Sequence, residues 1–216
     1  MKAIGLVLAL TILFAGNASA FEIPWYTQTG SLSSGIFAWH YSYDIGFFND
    51  TLMIDVDIAL GGADPGLKLK TRWESGIEAI WSTDRFEVPI VFNVDWVGTA
   101  ADQHVGVIPG AGRWNMLTWY TIDASGWGDA YQEEVAAHEF GHMIGLWDEH
   151  AGGAVDPLTG LTDTGGLMHT LDGQTLDSYY DGLLAWYDNR RSVSEPGTVL
   201  LIGAGALLLA LFGTWR

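Results

Sequence analysis

Several segments of the chain alternate between apolar and polar residues, the pattern that predicts half-buried β-strands. The clearest alternation covers residues 51–60 and 86–97, and each places a row of aliphatic or aromatic side chains on one face. Shorter strands are predicted at 104–108 and 115–122. Weaker alternation at 36–43 indicates one more strand within an aromatic-rich segment that precedes residue 51.

Apolar residues at helical spacing predict three helices. The first covers about 65–82, with Asp64 as its N-cap. The second begins at Asp129, which forms a capping-box-like pair with Gln132. The third lies near 175–187. A strand, a helix, more strands and a second helix follow in an order typical of an α+β fold.

The first 20 residues have the pattern of a secretory signal peptide. Lys2 precedes an apolar run at 4–15, and Ala18-Ser19-Ala20 provides small residues for cleavage after Ala20. A membrane anchor is the weaker interpretation because the apolar run is short. We therefore expect export through the general secretory route.

The C-terminal segment, 194–216, resembles a PEP-CTERM sorting tail. A Glu195-Pro196-Gly197 turn precedes an apolar run at 199–213, and the chain ends in the basic Arg216. The resemblance implies processing by an exosortase in the envelope of a Gram-negative bacterium, with the tail in the membrane before processing. The alternative is a plain C-terminal membrane anchor, although the run is shorter than the roughly 20 residues of a typical span.

The remaining residues, 21–193, are enough for one domain with its own core. The chain has 26 acidic and 9 basic residues, a net charge of −17. This charge argues against nucleic acids or anionic membrane surfaces as partners, because phosphate contacts require Lys and Arg. The chain has no cysteine, so an exported domain must rely on its core or on bound metals.

The most distinctive residues lie at the end of the second predicted helix, in the pattern His-Glu-x-x-His-x-x-Gly-x-x-Asp from His138 to Asp148. His138 and His142 are four residues apart on one helix face, close enough to bind one cation. Glu139 is placed to face the open side of that cation. Gly145 allows the helix to stop and turn, so that a later side chain can return as a third ligand.

This residue set predicts a catalytic zinc site. Such a site takes three protein ligands and keeps a fourth position for water. Glu139 is then the general base that activates the zinc-bound water for attack on a peptide carbonyl, and it returns the proton to the leaving amine. We expect a secreted zinc-dependent endopeptidase that acts on peptide or protein substrates.

The same motif, followed by Met168 in a later turn, resembles the metzincin clan of zinc endopeptidases and, with aspartate at the third ligand position, its snapalysin-like variant. The resemblance implies a twisted mixed sheet with two long helices, and a small C-terminal subdomain that contains a methionine turn and one helix. Met168 would form an apolar floor beneath the metal. An extended peptide would bind along the strand at 115–122, where Trp119 and Tyr120 either line a subsite or pack in the core.

The third ligand has three candidates. Asp148 has the spacing of the resembled family, whereas His150 carries the better zinc donor and lies only two residues further on. Glu149 is the remaining choice. The position two residues after the methionine, a tyrosine in some metzincins, is Thr170 here, and Tyr179 or Tyr180 is the alternative source of a nearby phenol.

Two other functions are compatible with the residues. A non-catalytic metal-binding surface or biofilm-matrix module would keep the metal for folding or binding alone, but such a site needs no Glu139. A calcium-dependent adhesive domain rests on the overall acidity and on loop 156–163, whose oxygen ligands suit Ca²⁺ without matching a known spacing. His40, His104 and His169 are interpreted as packing or surface histidines.

Overall fold

A computed structural model of the chain describes residues 21–122, 128–162 and 164–194. The predicted signal peptide and the sorting tail after Ser194 lie outside these ranges. No helix among the described residues is long and apolar enough to cross a membrane. The elements are β1 (Ile23–Ser34), β2 (Phe37–Phe48), β3 (Thr51–Gly62), α1 (Leu67–Trp81), β4 (Ile90–Val97), β5 (Gln103–Ala111), β6 (Thr118–Ile122), α2 (Asp129–Met143), a 3-10 turn (Asp177–Tyr180) and α3 (Asp181–Ser194).

The six strands form one mixed sheet, which confirms the predicted α+β class at this level. β1 and β2 make an antiparallel hairpin, and β2 is antiparallel to β3. β3 is parallel to both β4 and β5, and β5 is parallel to β6. The parallel β3–β4 pair follows from the crossover through α1. Shorter segments, 98–102 and 112–117, join β4 to β5 and β5 to β6.

Two strands share one edge of β3. Residues 51–55 pair with β2, and residues 58–62 pair with β5, while β4 occupies the other edge. Asp102 lies where β3 changes its pairing partner from β2 to β5. Its carboxylate accepts a 2.7 Å hydrogen bond from the Ser42 hydroxyl and a 3.1 Å bond from the Asp57 backbone N–H. This bridge satisfies backbone and side-chain donors where the ladder changes partner.

The N-terminal hairpin is longer than the sequence indicated. The alternation at 36–43 belongs to β2, but β1 was not predicted because most of its side chains are exposed and it has no buried apolar row. The strand expected from residue 86 starts at Ile90. Residues 86–89 precede it in a non-strand segment.

Both predicted helix caps are wrong. Gly66 precedes α1, and the Asp64 carboxylate instead accepts a 2.9 Å hydrogen bond from the Gly66 N–H. Gly128 precedes α2 without a side-chain cap. Asp129 forms an ion pair with Arg72 of α1, and the same guanidinium donates to Gln132 at 3.1 Å. The two polar residues at the start of α2 therefore join it to α1.

α1 and α2 pack closely on each other and on the sheet. A Cβ atom at Gly76 of α1 would lie 2.6 Å from Cβ of Glu133, so only glycine permits this approach. The Trp81 indole donates a 2.9 Å hydrogen bond to the carbonyl of Ala137. Its ring also packs against Phe140, and all of these core residues except Glu133 are buried. The packing fixes the height and rotation of α2 above the sheet.

Candidate metal centre

Three side chains of α2 point into one cavity. His138, Glu139 and His142 are each only 7% exposed, and all three line the same space of about 660 Å³. The volume is in the range of small-molecule and peptide side-chain pockets. The helix thus places the predicted ligands and the predicted base together.

Backbone carbonyls orient the two imidazoles. Nδ1 of His138 lies 2.8 Å from the carbonyl oxygen of Leu167, and Nδ1 of His142 lies 2.9 Å from that of Leu146. A carbonyl oxygen only accepts hydrogen bonds, so each Nδ1 carries the proton. In the neutral imidazoles Nε2 then presents a lone pair, which is the arrangement of metal-binding histidines.

The chain reverses after α2 at Gly145. This residue has φ of 93°, in the left-handed region, and the Leu146 N–H donates to the carbonyl of Gly141 at 3.0 Å. The turn brings Asp148 back to the helix. There the Asp148 carboxylate accepts a 2.6 Å hydrogen bond from the Ala154 N–H, and its own N–H donates to the Ala154 carbonyl at 3.0 Å.

Replacement of Gly145 by alanine is expected to lower the free energy of unfolding by about 1–3 kcal/mol, since a non-glycine residue is strained at this φ. The new Cβ would also lie 3.1 Å from the Tyr41 ring. Urea unfolding of the purified chain measures the change. Gly182→Ala in α3 is the matched control, because a Cβ at that position meets nothing within 4 Å. Equal stability of the two variants would contradict the role of the turn.

Oδ1 of Asp148 is the point on which the imidazoles converge. It lies 3.2 Å from Nε2 of His138, 3.5 Å from Nε2 of His142 and 3.2 Å from Nε2 of His150. This oxygen is buried and has no hydrogen-bond partner. Burial alone would raise the pKa of Asp148, but the adjacent imidazoles and the Ala154 N–H hold the pKa well below its ordinary range.

The donor set fits a zinc ion. The ligand atoms of His138, Asp148 and His150 lie within 4.8 Å of one another, and His142 approaches the same carboxylate oxygen. With metal–ligand distances of 2.0–2.1 Å, two ligand atoms of a tetrahedral zinc are about 3.3 Å apart. The three distances from Asp148 Oδ1 match that separation. An unpartnered buried carboxylate oxygen among imidazole lone pairs requires a cation or protons.

Glu149 points away from this convergence. Its carboxylate accepts a 2.6 Å hydrogen bond from the Tyr179 hydroxyl and another from the Thr164 hydroxyl. Its backbone N–H donates to the Met168 carbonyl at 2.9 Å. Burial, followed by the Glu149 hydrogen bond, raises the pKa of Tyr179, so the phenol remains a donor. Glu149 therefore fastens the ligand-bearing loop to the methionine turn.

Met168 lies in a tight turn beneath α2. The N–H groups of His169 and Thr170 both donate to the Gly166 carbonyl, at 2.9 and 3.0 Å. Met168 is fully buried, and its sulfur packs so closely on Gly141 that a Cβ there would lie 2.5 Å away. The turn thus supports the helix between the two histidines, and its Leu167 carbonyl orients His138.

The candidate phenol and hydroxyl groups do not face the imidazoles. Thr170 donates to Asp172 at 2.5 Å. Tyr180 donates to the Trp81 carbonyl at 2.7 Å within the core. The Tyr179 hydroxyl donates to the Glu149 carboxylate.

Glu139 occupies an electrostatically mixed position. Burial raises the pKa of its carboxyl group, protonated His138 or His142 would lower it, the charge of Asp148 raises it, and Arg113 lowers it. Arg113 lines the cavity from the segment between β5 and β6. Perturbed carboxyl groups of this kind are frequent in catalytic sites.

The N-terminal hairpin forms one wall of the cavity, a role that the sequence did not indicate. Phe37, Ala38 and Trp39 line the space. The Trp39 indole donates a 3.1 Å hydrogen bond to the His142 carbonyl, and its ring contacts Trp147 with centroids 5.0 Å apart. The hairpin thereby closes the C-terminal end of α2.

The segment that lines the cavity near β6 differs from the strand expected there. Residues 112–117, which precede β6, line the cavity. Trp119 is fully buried against Trp73, with ring centroids 5.0 Å apart, so the core alternative holds for this residue. Neither Trp119 nor Tyr120 is among the cavity-lining residues.

The remaining histidines differ in position. His169 lines the cavity, and its Nδ1 lies 2.9 Å from the Glu149 carbonyl, whereas the sequence suggested simple packing or exposure. His40 contacts the Ser31 hydroxyl within the hairpin, and His104 is exposed on β5. No feature of the sequence predicted that His169 would lie in the cavity.

The acidic segments offer weaker cation sites. In loop 156–163, Asp156 accepts hydrogen bonds from the Leu158 N–H and the Thr159 hydroxyl, both at 2.9 Å, and residue 163 lies outside the described residues. A carboxylate group on the sheet comprises Asp55, Asp57 and Asp95. The side-chain amide of Asn93 already donates to two of these three carboxylates.

No protein family, curated protein or solved structure matches the chain.

Proposed function

We propose that the chain is a secreted, zinc-dependent endopeptidase of metzincin type. The observation that carries the proposal is a buried glutamate, Glu139, in the same cavity as His138, His142 and Asp148, whose metal-binding atoms converge. A cation site used only for folding needs no carboxylate of this kind beside it. The mixed sheet, the α1–α2 pair and the methionine turn before α3 also support the metzincin architecture.

His138, His142 and Asp148 would hold the zinc ion. When bound, zinc lowers the pKa of a coordinated water to about 7 and polarises the carbonyl that is attacked. Glu139 takes the proton from the attacking water at its carboxylate and transfers it to the nitrogen of the leaving amine. Leu167 and Leu146 keep the imidazoles in the required tautomer through their carbonyl oxygens.

The cavity walls would receive the substrate residues next to the cleaved bond. Phe37 and Trp39 of the hairpin line the cavity together with the segment 112–117, in which Arg113 is a positive charge near Glu139. The cavity combines apolar side chains with several polar ones, a lining that can receive a peptide side chain and its backbone. An extended peptide or a flexible protein segment is the proposed substrate.

The sequences of the two termini lead to a proposal for the cellular location of the protein. Residues 1–20 would direct export, and 194–216 would act as a sorting tail that an exosortase removes in a Gram-negative cell envelope. The alternative is a tail that remains as a membrane anchor. N-terminal sequencing and intact mass of the protein recovered from the envelope distinguish these forms.

A non-catalytic metal-binding module is the second candidate, and one observation favours it. His150 brings a third Nε2 to Asp148 Oδ1, so three imidazoles and one carboxylate lie close together. Structural zinc sites are closed by four protein ligands, whereas catalytic sites keep one position open. A biofilm-matrix or surface protein would use such a site for stability alone.

Chelation of the purified full-length chain is expected to abolish cleavage of a peptide library, and equimolar zinc is expected to restore it. Calcium should restore no cleavage, because the converging imidazoles suit zinc and calcium takes oxygen ligands. Mass spectrometry of the library identifies cleaved bonds. Cleavage that survives chelation, or that returns with calcium alone, would reject a zinc peptidase. Zinc binding without any cleavage would favour the structural module.

A further inference from the structure

His150 contributes more to this centre than an alternative to Asp148. Both residues are present at once: Nε2 of His150 lies 3.2 Å from Asp148 Oδ1, the same distance as Nε2 of His138. The rings of His138 and His150 are 6.2 Å apart between centroids. The structure thus gives Asp148 and His150 simultaneous places beside the two helix histidines.

The hydrogen bonds of His150 resemble those of the other two histidines. Its Nδ1 lies 3.3 Å from the carbonyl oxygen of Ala151, so Nδ1 carries the proton and Nε2 presents a lone pair. Three imidazole lone pairs and one carboxylate oxygen therefore converge without an intervening hydrogen-bond donor. The ligand atoms of His138, Asp148 and His150 lie within 4.8 Å of one another, and Nε2 of His142 lies 3.5 Å from Asp148 Oδ1. A closed zinc site takes four protein ligands, the number present here.

His150 is held more loosely than the other three side chains. Its side chain is 33% exposed, against 9% for His138, His142 and Asp148. Asp148 is locked by its 2.6 Å bond from Ala154, whereas His150 has a long bond to its neighbouring residue. Rotation about the His150 side-chain bonds moves the imidazole towards solvent without disturbing the backbone.

We infer that His150 is a displaceable fourth ligand, which closes the metal centre at rest and leaves when an external ligand enters. The inference rests on the proposed zinc binding by His138, His142 and Asp148. Four protein ligands would leave no position for water, but peptide hydrolysis requires one. A fourth ligand that can leave satisfies both conditions. In this arrangement the resting protein is latent although the sequence supplies no cysteine for a thiol-based latch.

Imidazole ¹⁵N NMR of the full-length wild-type chain tests the resting state without mutation. Addition of one equivalent of zinc is expected to shift Nε2 of His138, His142 and His150, because all three would donate to the ion. His169 shares the cavity but lies outside the convergent group, so its Nε2 should not show the shift of a bound nitrogen. An unbound His150 Nε2 in the zinc form would overturn the inference.

Displacement is tested with the cobalt(II) form and azide as the probe ligand. His150→Ala is expected to bind azide about tenfold more tightly than wild type if His150 occupies its position nine-tenths of the time. His104→Ala is the matched histidine control, because His104 is exposed on β5 outside the cavity, and it should bind azide as wild type does. The visible absorption of cobalt reports binding, and equal azide affinity in wild type and His150→Ala would overturn the inference.

The two tests separate this inference from the proposed function, because neither measures peptide cleavage. If zinc shifts His150 and azide displaces it, the inference stands even when no library peptide is cleaved. If cleavage depends on zinc but His150 remains unbound, the peptidase stands and the inference fails. Loss of all cobalt from His150→Ala would also overturn it, since a displaceable ligand is not required for retention.

Discussion

Glu139→Gln is expected to retain zinc at wild-type stoichiometry and to cleave peptides about 10²–10⁴-fold more slowly, the contribution typical of a positioned general base. The amide has nearly the same shape as the carboxylate but cannot accept the proton. Because Glu139 is buried beside His138 and His142, its change in chemistry acts directly on the cavity. Bound zinc and kcat/KM for a cleaved library peptide measure the two effects.

The matched control is Glu134→Gln on the same helix. Glu134 is half-buried but does not line the cavity, so its replacement should leave kcat/KM near the wild-type value. Wild-type cleavage by Glu139→Gln would eliminate the proposed mechanism. Loss of zinc from that variant would instead assign Glu139 to metal retention.

Asp148→Ala is expected to weaken zinc binding strongly, because it removes the atom on which three imidazoles converge. Loss of a residue that only contacts a metal ligand typically costs roughly 10–100-fold in affinity, and the effect here should be larger. The substitution also leaves the Ala154 N–H without its carboxylate acceptor. Competition with a fluorescent chelator gives the zinc dissociation constant. The loss should exceed that in His150→Ala, because Asp148 is buried and His150 is partly exposed.

Asp156→Ala provides a carboxylate control in the following loop. Its side chain is fixed by Leu158 and Thr159 and lies outside the cavity-lining set. Zinc affinity should remain at the wild-type value. Retained zinc in Asp148→Ala, together with its loss in His150→Ala, would exchange the roles assigned to the two residues.

Much of the fold follows from periodicity in the sequence. The alternation at 51–60 predicted β3, and helical spacing predicted α1 and the start of α2 within two residues. The third helix was predicted at 175–187 but runs from Asp181 to Ser194, because residues 177–180 form a separate 3-10 turn. Local polar motifs were less informative. Asp129 and Gln132 have the spacing of a capping box, but Arg72 on another helix binds both. A tertiary contact of this kind has no signature in the sequence near the helix start.

In the candidate site, too, local spacing predicts some positions, and tertiary contacts determine the others. Four-residue spacing on a helix places His138 and His142 together, so local geometry is sufficient for that part of the prediction. The positions of Trp39 and His150 depend on how distant segments meet or how a loop folds back. Glu149 illustrates the limit, since its carboxylate suits a metal but Tyr179 and Thr164 bind it on the other side of the loop.

The hydrogen bond from the Trp39 indole to the His142 carbonyl links residues 103 positions apart in the chain. Contacts over such a separation form slowly, because the chain must lose loop entropy before it gains their stabilisation. The helical spacing that pairs the two histidines is local to α2, whereas the finished cavity also needs the hairpin to pack against this helix. Completion of the cavity is therefore a late folding event, so the folding chain passes through a period with paired histidines but no enclosed cavity.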